Sequence, residues 1–266
     1  MRIESLCLAA ATLFFSCGVA SAQSGSGDKA SGAPPTGFAV VELFTSQGCS
    51  SCPPADRVLS RVAEIAGERD MPVYALSMHV DYWNYLGWQD PYSAEAFTNR
   101  QRAYATAAKS RRVYTPQMIV NGDAAGFNGS NGAAASKAIR QGLQSKPSVE
   151  LTIDVQPADT AGVWRVSYQA NGAAPGDRVV ACLVADSVPN DVSRGENAGR
   201  QLVHAGVVRA MEQQPIGQAG TGTLTLTWPK VQNPSTAPPT VVAFVQDARS
   251  MAIHGATGWR GKKDAE

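Results

Sequence analysis

One short region limits what this chain can fold into. Residues 38–44 read FAVVELF, a nearly continuous apolar run that stops at Thr45-Ser46-Gln47-Gly48. A strand without polar alternation is buried on both faces, the pattern of an α/β sheet covered by helices on each side. Cys49-Ser50-Ser51-Cys52 follows, and PPADRVLSRVAEIAGER then begins a helical pattern. Val58, Val62 and Ile65 fall on one face with Leu59 and Ala66, and Arg57, Arg61, Glu64 and Glu68 fall opposite. Pro53 and Pro54 suit the first turn of that helix, where missing N–H groups cost little. Cys49 therefore stands just before a helix and Cys52 at its first turn. A structural disulfide, a metal clip and a redox centre are all compatible with the spacing alone.

The rest of the chain narrows this. Arg2, the apolar residues 6–15 and Ala20-Ser21-Ala22 predict a cleaved secretory signal over residues 1–22 of the 266. A lipoprotein signal ending at Cys17 is the rival, and Phe15-Ser16 fits its small-residue preference poorly. Residues 23–37, QSGSGDKASGAPPTG, have too little apolar bulk to offset ordering and read as a flexible leader. No later run approaches the ~20 apolar residues of a membrane span. The expectation is a periplasmic or secreted bacterial protein without a membrane anchor. Loss of the signal removes Cys7 and Cys17 and leaves Cys49, Cys52 and Cys182. That odd set is not the framework of a disulfide-stapled scaffold. Cys182, inside VVACLVAD, reads as a buried inert thiol. A formal net charge of +1 with scattered basic residues disfavours nucleic acid as a partner.

Further along, VYALSMHV at 73–80 predicts a second strand, and a helical segment runs over about 93–109. VYTPQMIVNGDAAGF predicts a strand, a turn at Asn121-Gly122-Asp123 and a short return strand, with a closing helix over 133–143. The order β-α-β-α-β-β-α defines a first domain over 38–146. After Lys146-Pro147 the texture changes. SVELTIDVQ, GVWRVSYQA, DRVVACLVAD, GTLTLTWP and PTVVAFVQD are short strands between turn residues. In the first of them Val149, Leu151, Ile153 and Val155 alternate with polar residues. This predicts a second, all-β sandwich-like domain over 147–260 and a tail at 261–266. SRGENAGRQLVHAGVVR gathers Arg194, Glu196, Asn197, Arg200, His204 and Arg209. It reads as a solvated connection, with a surface facing the first domain as the alternative.

A thiol at a helix start meets unpaired N–H groups and the positive end of the macrodipole, which favour thiolate near neutral pH. Cys49, at the solvent end, is expected to attack, and Cys52, more buried, to resolve the mixed disulfide. Ser50-Ser51 contains no His or Lys to stabilise the thiolate further and no proline to stiffen the loop.

ELFTSQGCSSC with its following helix, and VYTPQMIVNG later, resemble the thioredoxin fold. The resemblance implies that Thr115-Pro116 is a cis-proline loop packed against the thiol pair, presenting backbone groups to a substrate peptide. More closely, ELFTSQGCSSCPPAD, HVDYWNYLGWQDP, VYTPQMIVNG and GRQLVHAGVVR resemble a bacterial exported thioredoxin-like family of unknown function, DUF1223. That implies an α/β thioredoxin-like domain and a thiol site, without naming a substrate. It also implies a buried acid that takes and returns the Cys52 proton. Glu42 fits that role with one extra loop residue, against a purely structural Glu. His79 and Asp81 are placed at the end of the second strand on the thiol side, to tune the thiolate, to bind metal, or only to hydrogen-bond in the loop. Trp83, with Tyr82, Tyr85 and Trp88, packs as a cap beside the site or shapes a peptide groove.

The leading expectation is a thiol-disulfide oxidoreductase acting on protein thiols and disulfides without a cofactor. One alternative is a copper(I) site of Cys49, Cys52 and His79, since soft thiolates select that ion. The other is a non-catalytic binding module that works through its β-sandwich.

Overall fold

The computed structural model describes residues 35–229 and 239–261. The expected signal segment with Cys7 and Cys17, the leader up to residue 34 and the tail from residue 262 lie outside the described residues.

Strand β1 (Ala39–Thr45) is buried at every position. Its odd residues Ala39, Val41 and Leu43 pack against Ala55 and Leu59 of helix α1 (Pro53–Glu68). Its even residues Val40 and Phe44 pack against Phe97 and Tyr104 of helix α2 (Glu95–Ala107). A helix on each face is the reason the run carries no polar alternation. Strand β2 (Val73–His79) runs parallel to β1 and sets His79 opposite Thr45. Strand β3 (Gln117–Val120) pairs antiparallel on the other side of β1, and β4 (Phe127–Asn128) closes that edge. Helix α3 (Gly132–Gln144) shares the α1 side through Ala135 and Leu143, its first turn capped by Asn131 Oδ1 accepting from the Ala134 amide at 3.0 Å.

The expected boundary at 146/147 falls between α3 and the next strand, but the sheet does not stop there. Strands β5 (Glu150–Pro157), β6 (Val163–Asn171) and β9 (Thr221–Thr227) form a separate three-stranded antiparallel sheet. Strands β7 (Asp177–Val192), β8 (Arg200–Pro215), β10 (Thr240–Asp247) and β11 (Ile253–Arg260) instead continue the first sheet. The result is eight strands in the order β11-β10-β7-β8-β2-β1-β3-β4. The described residues form one compact unit, not the two expected domains.

The physical reason lies in β7 and β10, which are apolar on both faces. One face carries Val179, Ala181, Leu183, Val241, Ala243 and Val245 against the three-stranded sheet. The other carries Val180, Cys182 and Phe244 into the same core as Phe44, Phe97 and Tyr104. A free-standing sandwich would have left that second face in water. The join is a parallel contact of β2 with β8, Ser77 opposite Val207. There Gly206 adopts φ +64°, and a Cβ on it would fall 2.3 Å from the Ala75 carbonyl oxygen. Only glycine allows this close approach.

Candidate thiol site

Cys49 and Cys52 are disulfide-bonded, with their Cα atoms 5.4 Å apart. Cys52 is the N-cap of α1, and Pro53 and Pro54 open the helix. The Cys52 carbonyl accepts from the amides of Ala55 at 2.9 Å and Asp56 at 3.1 Å. The exposed Ser51 turns its hydroxyl to within 3.3 Å of Cys49 Sγ, close enough to donate to a thiolate. Ser51 is uncharged and one of two adjacent serines, so nothing in Cys49-Ser50-Ser51-Cys52 marks it as the partner of the thiol. Cys182, the free cysteine among the described residues, is buried, and burial pushes its thiol up to about 12. It is no nucleophile at neutral pH.

The Thr115–Pro116 peptide is cis. Pro116 is buried beside the start of α1: Leu43, Ala55 and Pro116 all converge on Gly129, where a Cβ would meet all three side chains within 3.4 Å. The Trp83 indole N–H donates to Thr115 Oγ1 at 2.8 Å, and a Cβ on Gly48 would lie 3.2 Å from Trp83 Cβ. Trp83 thus spans from the proline loop to the residue before Cys49. Trp88 and Asn190 both donate to Gln47 Oε1, at 3.0 and 2.8 Å. The Tyr82 hydroxyl donates to Gln101 Oε1 of α2 at 3.0 Å and lies beside Thr115 of the proline loop, whereas Tyr85 is 79% exposed.

Two expected residues are not brought to the site. Glu42 is an even residue of β1 and points to the α2 face, away from α1. It is fully buried there in an ion pair with Arg100, Arg Nε to Oε1 at 2.5 Å and a terminal nitrogen to Oε2 at 3.0 Å, and it also accepts from the Tyr104 hydroxyl. Strand alternation, read one residue along, turns the expected proton relay into a lock between β1 and α2. Asp81 lies beyond the end of β2, where strand alternation no longer applies. Its carboxylate accepts from Thr98 Oγ1 at 2.6 Å and its amide donates to the same oxygen at 3.2 Å, so it ties the loop to α2.

His79 does face the α1 side, and it brings company that the sequence did not announce. It is fully buried, with Nδ1 2.7 Å from Asp90 Oδ2. The same oxygen accepts the Gln47 amide of the thiol loop at 2.8 Å, and Oδ1 accepts the Tyr92 amide at 2.9 Å. Burial alone would raise the Asp90 carboxyl; the His79 charge and hydrogen bond, with those amides, outweigh it and hold it below its ordinary value. His204 of β8 packs edge-on against His79, ring centroids 4.6 Å apart. Its Nε2 lies 3.2 Å from Gln47 Nε2, and its Nδ1 lies 3.7 Å from Asp56 Oδ2, an ion-pair distance too long for a hydrogen bond. Burial pulls the His204 ring down, but the Asp56 carboxylate raises it further, with Asp90 adding to the effect. Thr45 Oγ1 donates to Asp56 Oδ1 at 2.8 Å. Asp56 was legible as the residue one turn after Cys52 on the same helix; nothing local marks Asp90.

His79 Nε2, His204 Nδ1 and Asp56 Oδ2 are buried without hydrogen-bond partners. Even so, among the described residues no three His, Cys, Asp or Glu side chains are grouped to hold a metal ion. The copper set of Cys49, Cys52 and His79 is therefore not assembled.

Neither sulfur is open to solvent: Cys49 and Cys52 are both 0% exposed. Cys49 was expected at the solvent end. The loop 193–199 joining β7 to β8 meets the backbone of the thiol loop. Asn197, fully buried, donates its side-chain amide to the carbonyls of Gln47 and Cys49, each at 2.9 Å. Glu196 Oε2 accepts the Ser50 amide at 2.9 Å. The segment that read as a solvated connection faces the first half of the chain.

Residues 40–246 match the sequence profile of a family described as protein of unknown function (DUF1223). The fold is similar to the X-ray crystal structure of a structural-genomics protein from Agrobacterium tumefaciens. That match has 28% identity and a TM-score of 0.60, covering 86% of this chain and 96% of that one. It is also similar to HBP35 of Porphyromonas gingivalis, at 14% identity and a TM-score of 0.58, over 85% of this chain and 75% of that one; this likeness concerns the fold alone. No curated protein matches the chain.

Proposed function

The chain belongs to the DUF1223 family, and from its own site we propose that it is an exported, thioredoxin-like thiol-disulfide oxidoreductase acting on protein thiols and disulfides. The observation that carries the reading is the Cys49–Cys52 disulfide at the first turn of α1, with Trp83 joining the cis Thr115–Pro116 loop to Gly48, the residue before Cys49. The apolar residues 6–15 and the small residues 20–22 support export to the periplasm or beyond. An oxidising compartment is one in which a disulfide of this kind persists.

In the oxidising direction, a partner thiolate attacks Cys49 Sγ. The S–S bond breaks, its electron pair leaves on Cys52, and a Cys49–partner mixed disulfide forms. A second partner thiolate then attacks its own half of the mixed disulfide and releases Cys49 as thiolate, so two electrons have passed to this chain. The reducing direction is the reverse. Ser51 Oγ, 3.3 Å from Cys49 Sγ, is placed to donate to the thiolate in either direction. The amides at the start of α1 add the helix-end field, reduced because Pro53 and Pro54 carry no N–H.

Cys52→Ser leaves the mixed disulfide without its resolving thiol. Cells expressing this variant are expected to accumulate partners linked through Cys49, released by reductant and absent with Cys49→Ser. No trapped partner, together with a pair that stays oxidised at a reducing glutathione poise, refutes the reading.

A further inference from the structure

Both cysteines are fully buried, and the chain's own hairpin is hydrogen-bonded to the loop that carries Cys49. We propose that the tip of the β7–β8 hairpin, residues 193–199, is a clasp that occupies the approach to Cys49 and that an extended segment of a partner protein must displace. The inference rests on the exchange reading and deepens it, by assigning what controls access to the same site.

The hairpin is built to reach this position. β7 and β8 stay paired out to Val192 opposite Arg200, well past their contact with β2. The tip turns on Gly195 at φ +75° and Gly199 at φ +79°, closed by Gly199 N donating to the Val192 carbonyl at 2.8 Å. Gly195 sits so close to Trp88 that a Cβ would lie 3.0 Å from the tryptophan Cβ.

What the tip offers to the thiol loop has the chemistry of a polypeptide backbone. The Asn197 amide donates to the carbonyls on either side of Gly48, and Glu196 supplies an acceptor to the Ser50 N–H. Those are the donors and acceptors that an extended peptide lying along the Cys49 loop would present in their place. Arg200 fixes the Asn197 side chain in this sense by donating to its Oδ1 at 2.9 Å, so the two N–H groups must point to the thiol loop. The hydrogen bonds to the thiol loop come from two side chains, whereas β7 and β8 themselves are paired in the sheet. Such a contact opens locally without unfolding the domain.

With both sulfurs at 0% exposure, any reagent reacts at a rate set by the population of the open clasp. Asn197→Asp is nearly isosteric but turns a double donor into an acceptor facing two carbonyls. It is expected to raise the open population by at least about tenfold, the equivalent of one lost buried hydrogen bond of ~1.4 kcal/mol. Asn197→Ala is expected to act in the same direction. Glu196→Ala is expected to accelerate only about two- to fourfold, because an exposed contact to one amide is weak, and Glu196→Gln, which keeps the acceptor, restores the parental rate.

The experiment uses the full oxidised chain treated with a water-soluble phosphine, with released thiols alkylated and the modified peptides assigned by mass. Circular dichroism of each variant confirms the fold. Phosphine rates that rise in the expected order uphold the clasp. Rates within twofold of the parent for both folded Asn197 variants overturn it. Capture of protein partners by the Cys52→Ser chain is scored separately. Fast phosphine reduction of Asn197→Asp, with no captured protein and a pair that stays oxidised at a reducing glutathione poise, upholds the clasp and refutes exchange with proteins. Unchanged phosphine rates with captured partners refute the clasp and leave the exchange function standing.

Discussion

Glu42→Gln separates the two roles that a buried acid on β1 can have. Glu42 sits at 0% exposure with both carboxylate oxygens engaged, by the Arg100 guanidinium and the Tyr104 hydroxyl. Arg100 also donates to Gln246 Oε1 at 3.1 Å, and its charge lies 5.1 and 5.2 Å from the ring centres of Tyr104 and Phe244. Glutamine keeps the shape and one acceptor, but sets an NH2 group against the guanidinium and leaves that buried charge without a counterion. Breaking one side of a buried pair costs about 3–5 kcal/mol. Domains of this kind are stable by only about 5–15 kcal/mol in total. With a urea m-value of about 2–3 kcal/mol/M, the denaturation midpoint is expected to fall by roughly 1–2.5 M. Because Glu42 faces α2 and not α1, the rate at which the folded variant exchanges its disulfide with a small dithiol should stay within about twofold of the parent, far from the 10²–10⁴-fold typical of a lost general acid–base group. A midpoint that hardly moves, with exchange slowed more than about tenfold, would return Glu42 to the proton relay and refute the face assignment.

Other expectations follow from the same geometry. Ser51→Ala removes the hydroxyl 3.3 Å from Cys49 Sγ, and the Cys49 thiolate absorbance of the reduced chain should appear at higher pH; an unchanged titration removes Ser51 from the site. The raised His204 contributes stability that is complete below its unfolded value of ~6.5 and is lost as pH rises through its folded value. The lowered Asp90 contributes stability present above ~3.9 and lost as pH falls through its folded value. Denaturation midpoints measured across that range should therefore drop on both sides, with His204→Gln flattening the alkaline drop and Asp90→Asn the acid one. Gly206→Ala forces a left-handed alanine and a Cβ 2.3 Å from the Ala75 oxygen. It should cost at least ~2 kcal/mol in thermal or urea unfolding, and a silent substitution would mean that β8 docks on β2 less closely.

Much of the first half was legible because its signals are local. The unbroken apolar run of β1, the Pro53-Pro54 helix start and the apolar stripe of α1 each state their own structure within a few residues. Later strands such as β5, β6, β9 and β10 announced themselves through alternation or apolar runs between turn residues. β8 did not: RQLVHAGVVRAMEQQP mixes charge, glycine and apolar residues, because it crosses from the sheet interior to an exposed hairpin arm. β11, with two glycines and a threonine in IHGATGWR, gave no periodic signal either.

What the sequence by itself determined was the placement of two thiols between a buried strand and a helix start, and the inertness of Cys182. Both follow from patterns shorter than one element. Only the tertiary structure decided that the two halves share one sheet, since that depends on which second partner covers the far face of β7 and β10. It alone decided that Glu42 pairs with Arg100, 58 positions away, and that His79 meets His204. It alone set Asn197 against the Cys49 carbonyl, 148 positions away. Contacts at such separations carry no local periodicity, because each side chain is placed by its own strand or loop and the meeting is made by packing.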